Sequence, residues 1–254
     1  MSDWRWKDQP WAQPETLLAQ LVDYYQRAFK ATGKGVVEIT ARKVRAERKW
    51  PASIPEDALQ AAVAALEVIY VPKGVGPGPG IAFPIRDVTG DVRRMHIRLM
   101  DEGPETYGMR YMSLTNKDAF VGPAWCGVDD AVLTAIIQQK EALIVEGPMD
   151  LLAVRVAGSP IPAITSLTKS LKDDHMDFLR ILGVRAIHAL LDSDTAGGKA
   201  SSFLGRNPYG ISVETLHCPM KDPAKLLCAT SGLRQLRELI NPMSVVCELP
   251  DDEF

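Results

Sequence analysis

The second half of the chain alternates short apolar segments with segments of helical pattern, and this alternation constrains the fold more than any other feature. The apolar segments are "EALIVEG", "IPAIT", "VRAIHALLD" and "ISVETLHC", and helical patterns such as "MDLLAVRVAG" lie between them. Nearly continuous apolar runs are typical of parallel strands that are covered on both faces. The sequence therefore predicts an α/β fold with a parallel sheet from about Asp129 to Ala229.

The segment before Asp129 has a different pattern. An amphipathic helix is predicted from Glu15 to Phe29, and a second helix starts between Ser53 and Asp57. The Pro/Gly-rich stretch "PKGVGPGPG" interrupts the chain, and the short β-type segments after it favour an antiparallel patch. We therefore expect a basic α+β N-terminal subdomain over residues 1–128, the α/β domain over 129–230, and a short C-terminal helix with an acidic tail over 231–254.

The formal net charge is −3, so a nucleic-acid surface would have to come from local clustering of basic residues. The strongest basic cluster lies between residues 30 and 49. The candidate DNA-binding patch consists of residues from this cluster and two later arginines: Arg42, Lys43, Arg45, Arg48, Lys49, Arg93 and Arg94. A solvated basic helix explains the same cluster, and the sequence leaves both interpretations open.

The cysteines and the apolar runs narrow the class of protein. The four cysteines lie far apart and form no C-x-x-C pair, so we expect reduced thiols and no zinc site. No run approaches the roughly 18 apolar residues of a membrane helix, and the N-terminus lacks the apolar region of a signal peptide. A cytoplasmic protein without a membrane partner is the expectation.

Acidic residues follow three of the predicted strands. Glu146 ends the first strand, Asp192 and Asp194 end the third, and Asp222 lies just beyond the fourth. The carboxyl ends of parallel strands meet at one edge of a sheet, so we expect these carboxylates to converge. Asp192 and Asp194 would face the same side and repel each other unless a hard cation lay between them. The pattern therefore predicts a Mg²⁺ or Mn²⁺ site.

Three further residues near these motifs carry expectations. Lys199 and Lys221 are candidates to face phosphate oxygens, and plain surface lysines are the alternative interpretation. Asp150, three residues after Gly147, is expected to cap or solvate its helix rather than to bind metal.

Three motifs of this region resemble those of the TOPRIM domain, which is shared by primases, topoisomerases and certain nucleases. They are "VEGPMD", "LLDSDTAGGKA" and "KDP". Upstream, "IAFPIRDVTGDVRRMHIRLMD" and "MRYMSL" resemble segments of DnaG-like bacterial primases and phage primase-helicases, as does "ITSLTKSLKDDHMDFLRIL" between the first two acidic motifs. The resemblance covers about Ile54 to Leu227. It implies a Rossmann-like parallel sheet with flanking helices, preceded by the basic α+β subdomain.

The resemblance also implies a function, which is template-directed synthesis of RNA primers on single-stranded DNA by metal-dependent nucleotidyl transfer. Glu146 would place metal or act as general acid or base, and Asp192, Asp194 and Asp222 would hold Mg²⁺. Arg98, Arg110 and Lys169 would contact the template or the incoming nucleoside triphosphate.

The sequence departs from the primase pattern at several points. Ser193 replaces a usual glycine, and Ala224 replaces a common acidic residue, which weakens the metal position at Asp222. No segment resembles the zinc-binding or helicase-binding regions of bacterial primases. We therefore expect a minimal core from a phage or mobile element, compatible with a separate helicase or zinc-binding subunit.

Two other functions use the same residues. The first is a TOPRIM nuclease that hydrolyses phosphodiesters, which the upstream "FPIRD" and "MRYMSL" segments disfavour. The second is a catalytically weak accessory protein that binds single-stranded DNA, which the intact Glu146, Asp192 and Asp194 disfavour.

Overall fold

A computed structural model describes residues 14–73, 75, 79–87, 89–100, 110–115, 122–167, 171–192 and 210–241. Its helices are α1 Pro14–Arg48, α2 Glu56–Ala65, α3 Asp130–Gln139, α4 Pro148–Ala157, α5 Asp173–Ile181, α6 Pro223–Leu226 and α7 Gly232–Ile240. Its strands are β1 Ile69–Val71, β2 Gly80–Arg86, β3 Val92–Leu99, β4 Tyr111–Thr115, β5 Glu141–Val145, β6 Ala163–Ile164, β7 Ala186–Leu191 and β8 Ser212–His217.

The first sheet is antiparallel, in the order β1-β2-β3-β4. A hairpin joins β2 to β3, and its turn contains Gly90 at a φ of 85°, which a residue with a side chain rarely adopts. Asp87 closes this turn by accepting hydrogen bonds from the backbone N–H and the hydroxyl of Thr89. The predicted antiparallel patch is confirmed.

The second sheet is parallel, in the order β6-β5-β7-β8. The apolar side chains of β5 and β7 are almost wholly buried, as expected for strands covered on both faces. Asp129 begins α3 by accepting a hydrogen bond of 2.8 Å from the N–H of Val132. The predicted α/β fold with a parallel sheet is confirmed, and it brings the carboxyl ends of β5, β7 and β8 to one edge.

Helix α1 differs from the sequence prediction. It does not end at Phe29 but continues to Arg48, so the basic stretch after residue 30 is part of the same helix. Gly33 and Gly35 lie inside it without interrupting it. Packing overrides their low helix propensity, since Ala41 and Val44 beyond them are fully buried in the core.

Other predicted elements fall differently or lie outside the described residues. Strand β1 was not predicted, because its apolar residues directly follow the alanine-rich helix α2. The short C-terminal helix appears as α7, whereas the acidic tail lies outside the described residues. No helix among the described residues is both long and apolar enough to cross a lipid bilayer.

The two sheets are joined by one apolar core. A single buried cluster includes Trp50 after α1, Phe83 of β2, Leu151 of α4, Leu190 of β7 and Leu236 of α7. The indole N–H of Trp50 also donates a buried hydrogen bond of 2.9 Å to the carbonyl oxygen of Ala224 in α6. The end of α1 is therefore held against the segment that follows β8, beside the carboxyl edge of the parallel sheet.

Candidate functional site

A cavity of about 390 Å³ opens at the carboxyl edge of the parallel sheet. Glu146 follows β5 directly, Asp192 follows β7 directly, and Asp222 precedes α6; all three line the cavity. The structure thus brings together three of the four carboxylates that the sequence predicted to converge. Asp194 lies outside the described residues, as do Lys169 and Lys199.

The turn between β5 and α4 places a fourth carboxylate in this cavity. Gly147 is the N-cap of α4 and Pro148 occupies its first turn, where a missing N–H costs nothing. Asp150, also in the first turn, is buried and lines the cavity. A Cβ atom at residue 147 would lie 3.0 Å from Oδ2 of Asp150, so glycine leaves room for this carboxyl group.

The expectation that Asp150 caps or solvates its helix was wrong. Its Oδ1 accepts a hydrogen bond of 3.2 Å from the backbone N–H of Ala224, which belongs to α6. Burial, together with the nearby carboxylates of Asp222 and Asp192, raises the pKa of Asp150 from 3.8 to about 8. Side chains in the first turn of a helix point back toward its N-terminus, which here lies at the sheet edge. The E-G-x-x-D spacing was therefore the sequence signal that Asp150 lies near Glu146.

Asp222 combines a structural contact with its place in the cavity. Its Oδ1 accepts a hydrogen bond of 2.5 Å from the N–H of Lys225 and thereby caps α6. The same oxygen lies 3.8 Å from Nη2 of Arg48, the last residue of α1. Asp222 is therefore held in position by its own helix and by the end of α1.

Another wall of the cavity comes from the antiparallel sheet and the end of α1, and it is basic. Arg98 donates hydrogen bonds to Glu47 from Nε at 2.9 Å and to the hydroxyl of Tyr111 from Nη1 at 2.8 Å. Two other basic residues line the same cavity: Arg110, for which the resemblance implies contact with template or nucleotide, and Lys221, which directly precedes Asp222 and was expected to face phosphate oxygens. Arg48 completes it from the end of α1.

Two further residues of this wall were not predicted as site residues. The ring of His96 stacks on that of Tyr111 with centroids 5.3 Å apart, and its Nδ1 lies 2.7 Å from the hydroxyl oxygen of Ser113. Burial and the charge of Arg94 lower the pKa of His96 to about 4, so the ring is neutral at pH 7. Alternation along β3 was the available signal, because His96 and Arg98 are two residues apart and share a face.

The candidate DNA-binding patch is distributed over several parts of the structure. Arg45 donates to the carbonyl oxygens of Pro51 and Ile54 at 2.7 and 3.0 Å and holds the connection from α1 to α2. Arg93 pairs with Asp87 and Asp91 in the hairpin.

The other patch residues lie elsewhere. The ammonium group of Lys43 lies 4.7 Å from the ring centroid of Tyr70. Arg42 and Lys49 are exposed, and Arg94 is half-buried. Of the seven patch residues, Arg48 is the one that lines the carboxylate cavity.

The donor set fits a hard divalent cation. Every carboxylate in the cavity offers oxygen ligands, and burial, together with the carboxylates of Asp222 and Asp192, raises the pKa of Asp150. Within the described ranges, no three His, Cys, Asp or Glu side chains are already arranged as a metal-binding group. A cation such as Mg²⁺ keeps several water ligands and takes others from substrate phosphates, so it needs few protein ligands.

Comparison with known proteins concerns the parallel-sheet region first and then the whole fold. Residues 143–227 match the model of the Toprim-like family, Toprim_2, and this match covers the parallel sheet and its carboxylate edge. The RNA polymerase domain of Mycobacterium tuberculosis primase DnaG superposes with a TM-score of 0.65 and 20% identity, over 90% of this chain and 83% of that one. A DnaG primase catalytic domain solved bound to single-stranded DNA gives a TM-score of 0.56 and 19% identity, over 87% and 76%. The chain has the fold of a DnaG-like primase core.

One curated relative was found by sequence. The DNA primase of Deinococcus radiodurans is 30% identical over 161 residues, which are 61% of this chain. The chain spans 27% of the length of that relative, so the similarity concerns one part of a larger protein.

Proposed function

We propose that this protein is the nucleotidyl-transferring core of a DNA primase, which makes RNA primers on a single-stranded DNA template. One observation carries the proposal: a single cavity sets the carboxylates of the parallel sheet against arginines of the antiparallel sheet and α1. Primer synthesis requires both, because the metal that activates the reacting oxygens needs carboxylates and the nucleotide phosphates need cations.

The reaction is the attack of a ribose 3′-hydroxyl on the α-phosphorus of a nucleoside triphosphate, with pyrophosphate as the leaving group. Glu146, Asp192, Asp194 and Asp222 would hold Mg²⁺ or Mn²⁺, and the bound metal would stabilise charge on the attacking and departing oxygens.

The basic residues of the cavity would bind the nucleotide. Arg98, Arg110 and Lys221 bind and orient the phosphates, and Arg98 is fixed for this by Glu47 and Tyr111. Lys169 and Lys199 would add nucleotide contacts. The ligand of the structural relative solved with single-stranded DNA supports a DNA template for this chain as well.

Primer synthesis can be assayed directly. The protein is incubated with single-stranded template, labelled nucleoside triphosphates and Mg²⁺ or Mn²⁺, and short labelled oligonucleotides are the expected product. Asp192→Asn should lower their yield by at least about 100-fold, since loss of even an outer partner of a metal ligand costs about 10–100-fold. Asp130→Asn, at an exposed aspartate of α3, is the matched control and should leave the yield unchanged.

The alternatives give different results in the same assay. Shortening of the template would identify a nuclease that uses the same carboxylates. Binding of the template without any chemistry would identify an accessory protein. Full synthesis by Asp192→Asn would refute the assignment of the metal site.

A further inference from the structure

A second cavity, of about 530 Å³, adjoins the carboxylate cavity and is lined mainly by cations. Arg48, Arg98 and Arg110 line both cavities, so the two share a wall. The second cavity adds Lys49, directly after α1, and Lys225, in the first turn of α6.

Two of these five cations have carboxylate partners. Of the residues that the structure describes, Glu47 is the one carboxylate that lines the second cavity, and its Oε1 lies 2.8 Å from Nη2 of Arg98. Nη2 of Arg48 lies 3.8 Å from Oδ1 of Asp222, which lines the carboxylate cavity. Among the described residues, no carboxylate forms an ion pair with Lys49, Arg110 or Lys225. A concave surface with uncompensated positive charge raises the local concentration of anions.

The contacts between α1 and α6 hold the two lysines near each other. Besides the hydrogen bond from Trp50 to Ala224, the thiol of Cys228 lies 3.2 Å from the carbonyl oxygen of Arg48 and donates to it. These contacts fix the backbone on both sides of the cavity, while the side chains of Lys49 and Lys225 remain exposed. The cationic cavity is therefore a built feature of the fold.

We propose that Lys49 and Lys225, together with Arg48, form a phosphate-binding subsite beside the carboxylates. Its ligand is a phosphate group, supplied either by the triphosphate tail of a nucleotide or by the backbone of a nucleic-acid strand. The inference rests on the proposed function, because that function explains why such phosphates would reach this site. Binding itself requires neither the metal nor catalysis, so it can be tested separately.

The test measures phosphate binding by Lys225→Gln and Lys49→Gln in EDTA and compares it with binding by Lys140→Gln. Lys140 is a matched control for Lys49, because both are exposed lysines with left-handed backbone, at φ values of 60° and 54°. Lys140 lies just before β5, at the opposite edge of the sheet from the carboxylates. Equal midpoints of thermal unfolding for the three variants would show that folding is unaffected.

Two probes distinguish the two sources of phosphate. Inorganic tripolyphosphate, measured by calorimetry, represents the nucleotide tail, and a labelled single-stranded oligonucleotide, measured by anisotropy over a range of salt concentrations, represents the backbone. For the nucleotide tail, the two site variants should bind tripolyphosphate about tenfold more weakly. For the backbone, the slope of log K against log salt should fall by about 0.7 for each phosphate group that the variant no longer binds.

If Lys225→Gln and Lys49→Gln behave like Lys140→Gln with both probes, the subsite does not exist. The same conclusion follows if the unsubstituted protein binds neither probe. A protein that shows the predicted binding changes but makes no primers would retain the subsite and lose the proposed function. If the protein makes primers but the substitutions leave binding of both probes unchanged, the proposed function is retained and the subsite is refuted.

Discussion

Asp150→Asn is expected to stabilise the metal-free protein, although substitutions of buried residues usually destabilise. The carboxyl group of Asp150 has a pKa of about 8 in the folded protein against 3.8 ordinarily. At pH 7 the folded protein therefore holds a proton that the unfolded chain would release. About three pKa units at 1.36 kcal/mol each give a cost of at most about 4 kcal/mol. Asparagine removes this cost and can still accept the hydrogen bond from Ala224.

The pH dependence gives the sign of the effect. Because the folded pKa is raised, the folded state binds more protons than the unfolded state between about pH 4 and pH 8. The stability of the unsubstituted protein should therefore fall as the pH rises through this window, by up to about 2 kcal/mol from pH 6 to pH 8. Asp150→Asn should lack this slope.

Urea unfolding in EDTA, followed by tryptophan fluorescence at pH 6 and pH 8, measures both effects. Asp130→Asn, which removes an exposed carboxylate, should change the free energy of unfolding by about 0.5 kcal/mol or less. Added Mg²⁺ should stabilise the unsubstituted protein more than Asp150→Asn. If Asp150→Asn is no more stable than the unsubstituted protein at pH 8 in EDTA, the account of this carboxyl group is refuted.

Three further substitutions test the fold. Burial alone would raise the pKa of Asp87, but hydrogen bonds, among them that from Arg93, lower it to about 2. Asp87→Asn should therefore lower the free energy of unfolding by about 1–3 kcal/mol at pH 7, as measured by urea unfolding. This difference should vanish as the pH falls from about 4 toward 2. Gly33→Ala should raise the free energy of unfolding by about 0.5–1 kcal/mol, because nothing lies within 4 Å of the added methyl group and alanine favours the helix; an unchanged or lower value would show that α1 is not helical there. Gly232→Ala should lower the melting temperature, with a cost of about 3 kcal/mol, because the methyl group would lie 1.9 Å from the carbonyl oxygen of Leu226, and an unchanged melting temperature would contradict this packing.

The sequence was sufficient to predict the parallel sheet, because its strands are apolar runs whose pattern is local. The length of α1 could not be predicted in the same way. Gly33, Gly35 and the basic residues near them disfavour a continuous helix, and burial of Ala41 and Val44 against distant elements decides the outcome.

Part of the candidate site could also be predicted from the sequence. Glu146, Asp192 and Asp222 could be placed together because strand ends in a parallel sheet share an edge. The environment of Asp150 could not be predicted, because it depends on the N–H of Ala224, which lies 74 residues later in the chain. The pairing of Arg98 with Tyr111 likewise requires the register between β3 and β4, which side-chain alternation alone does not fix.

The hydrogen bond from Trp50 to Ala224 holds two parts of the carboxylate cavity together. Trp50 lines neither cavity, yet it fixes the spacing between α1, which carries Arg48, and α6, which begins beside Asp222. Packing and hydrogen bonding at Trp50 therefore help to set the distance between Arg48 and Asp222. Residue 50 therefore supports the cavity from outside it, and a smaller side chain there would remove both the buried hydrogen bond and the packing that hold Arg48 beside Asp222.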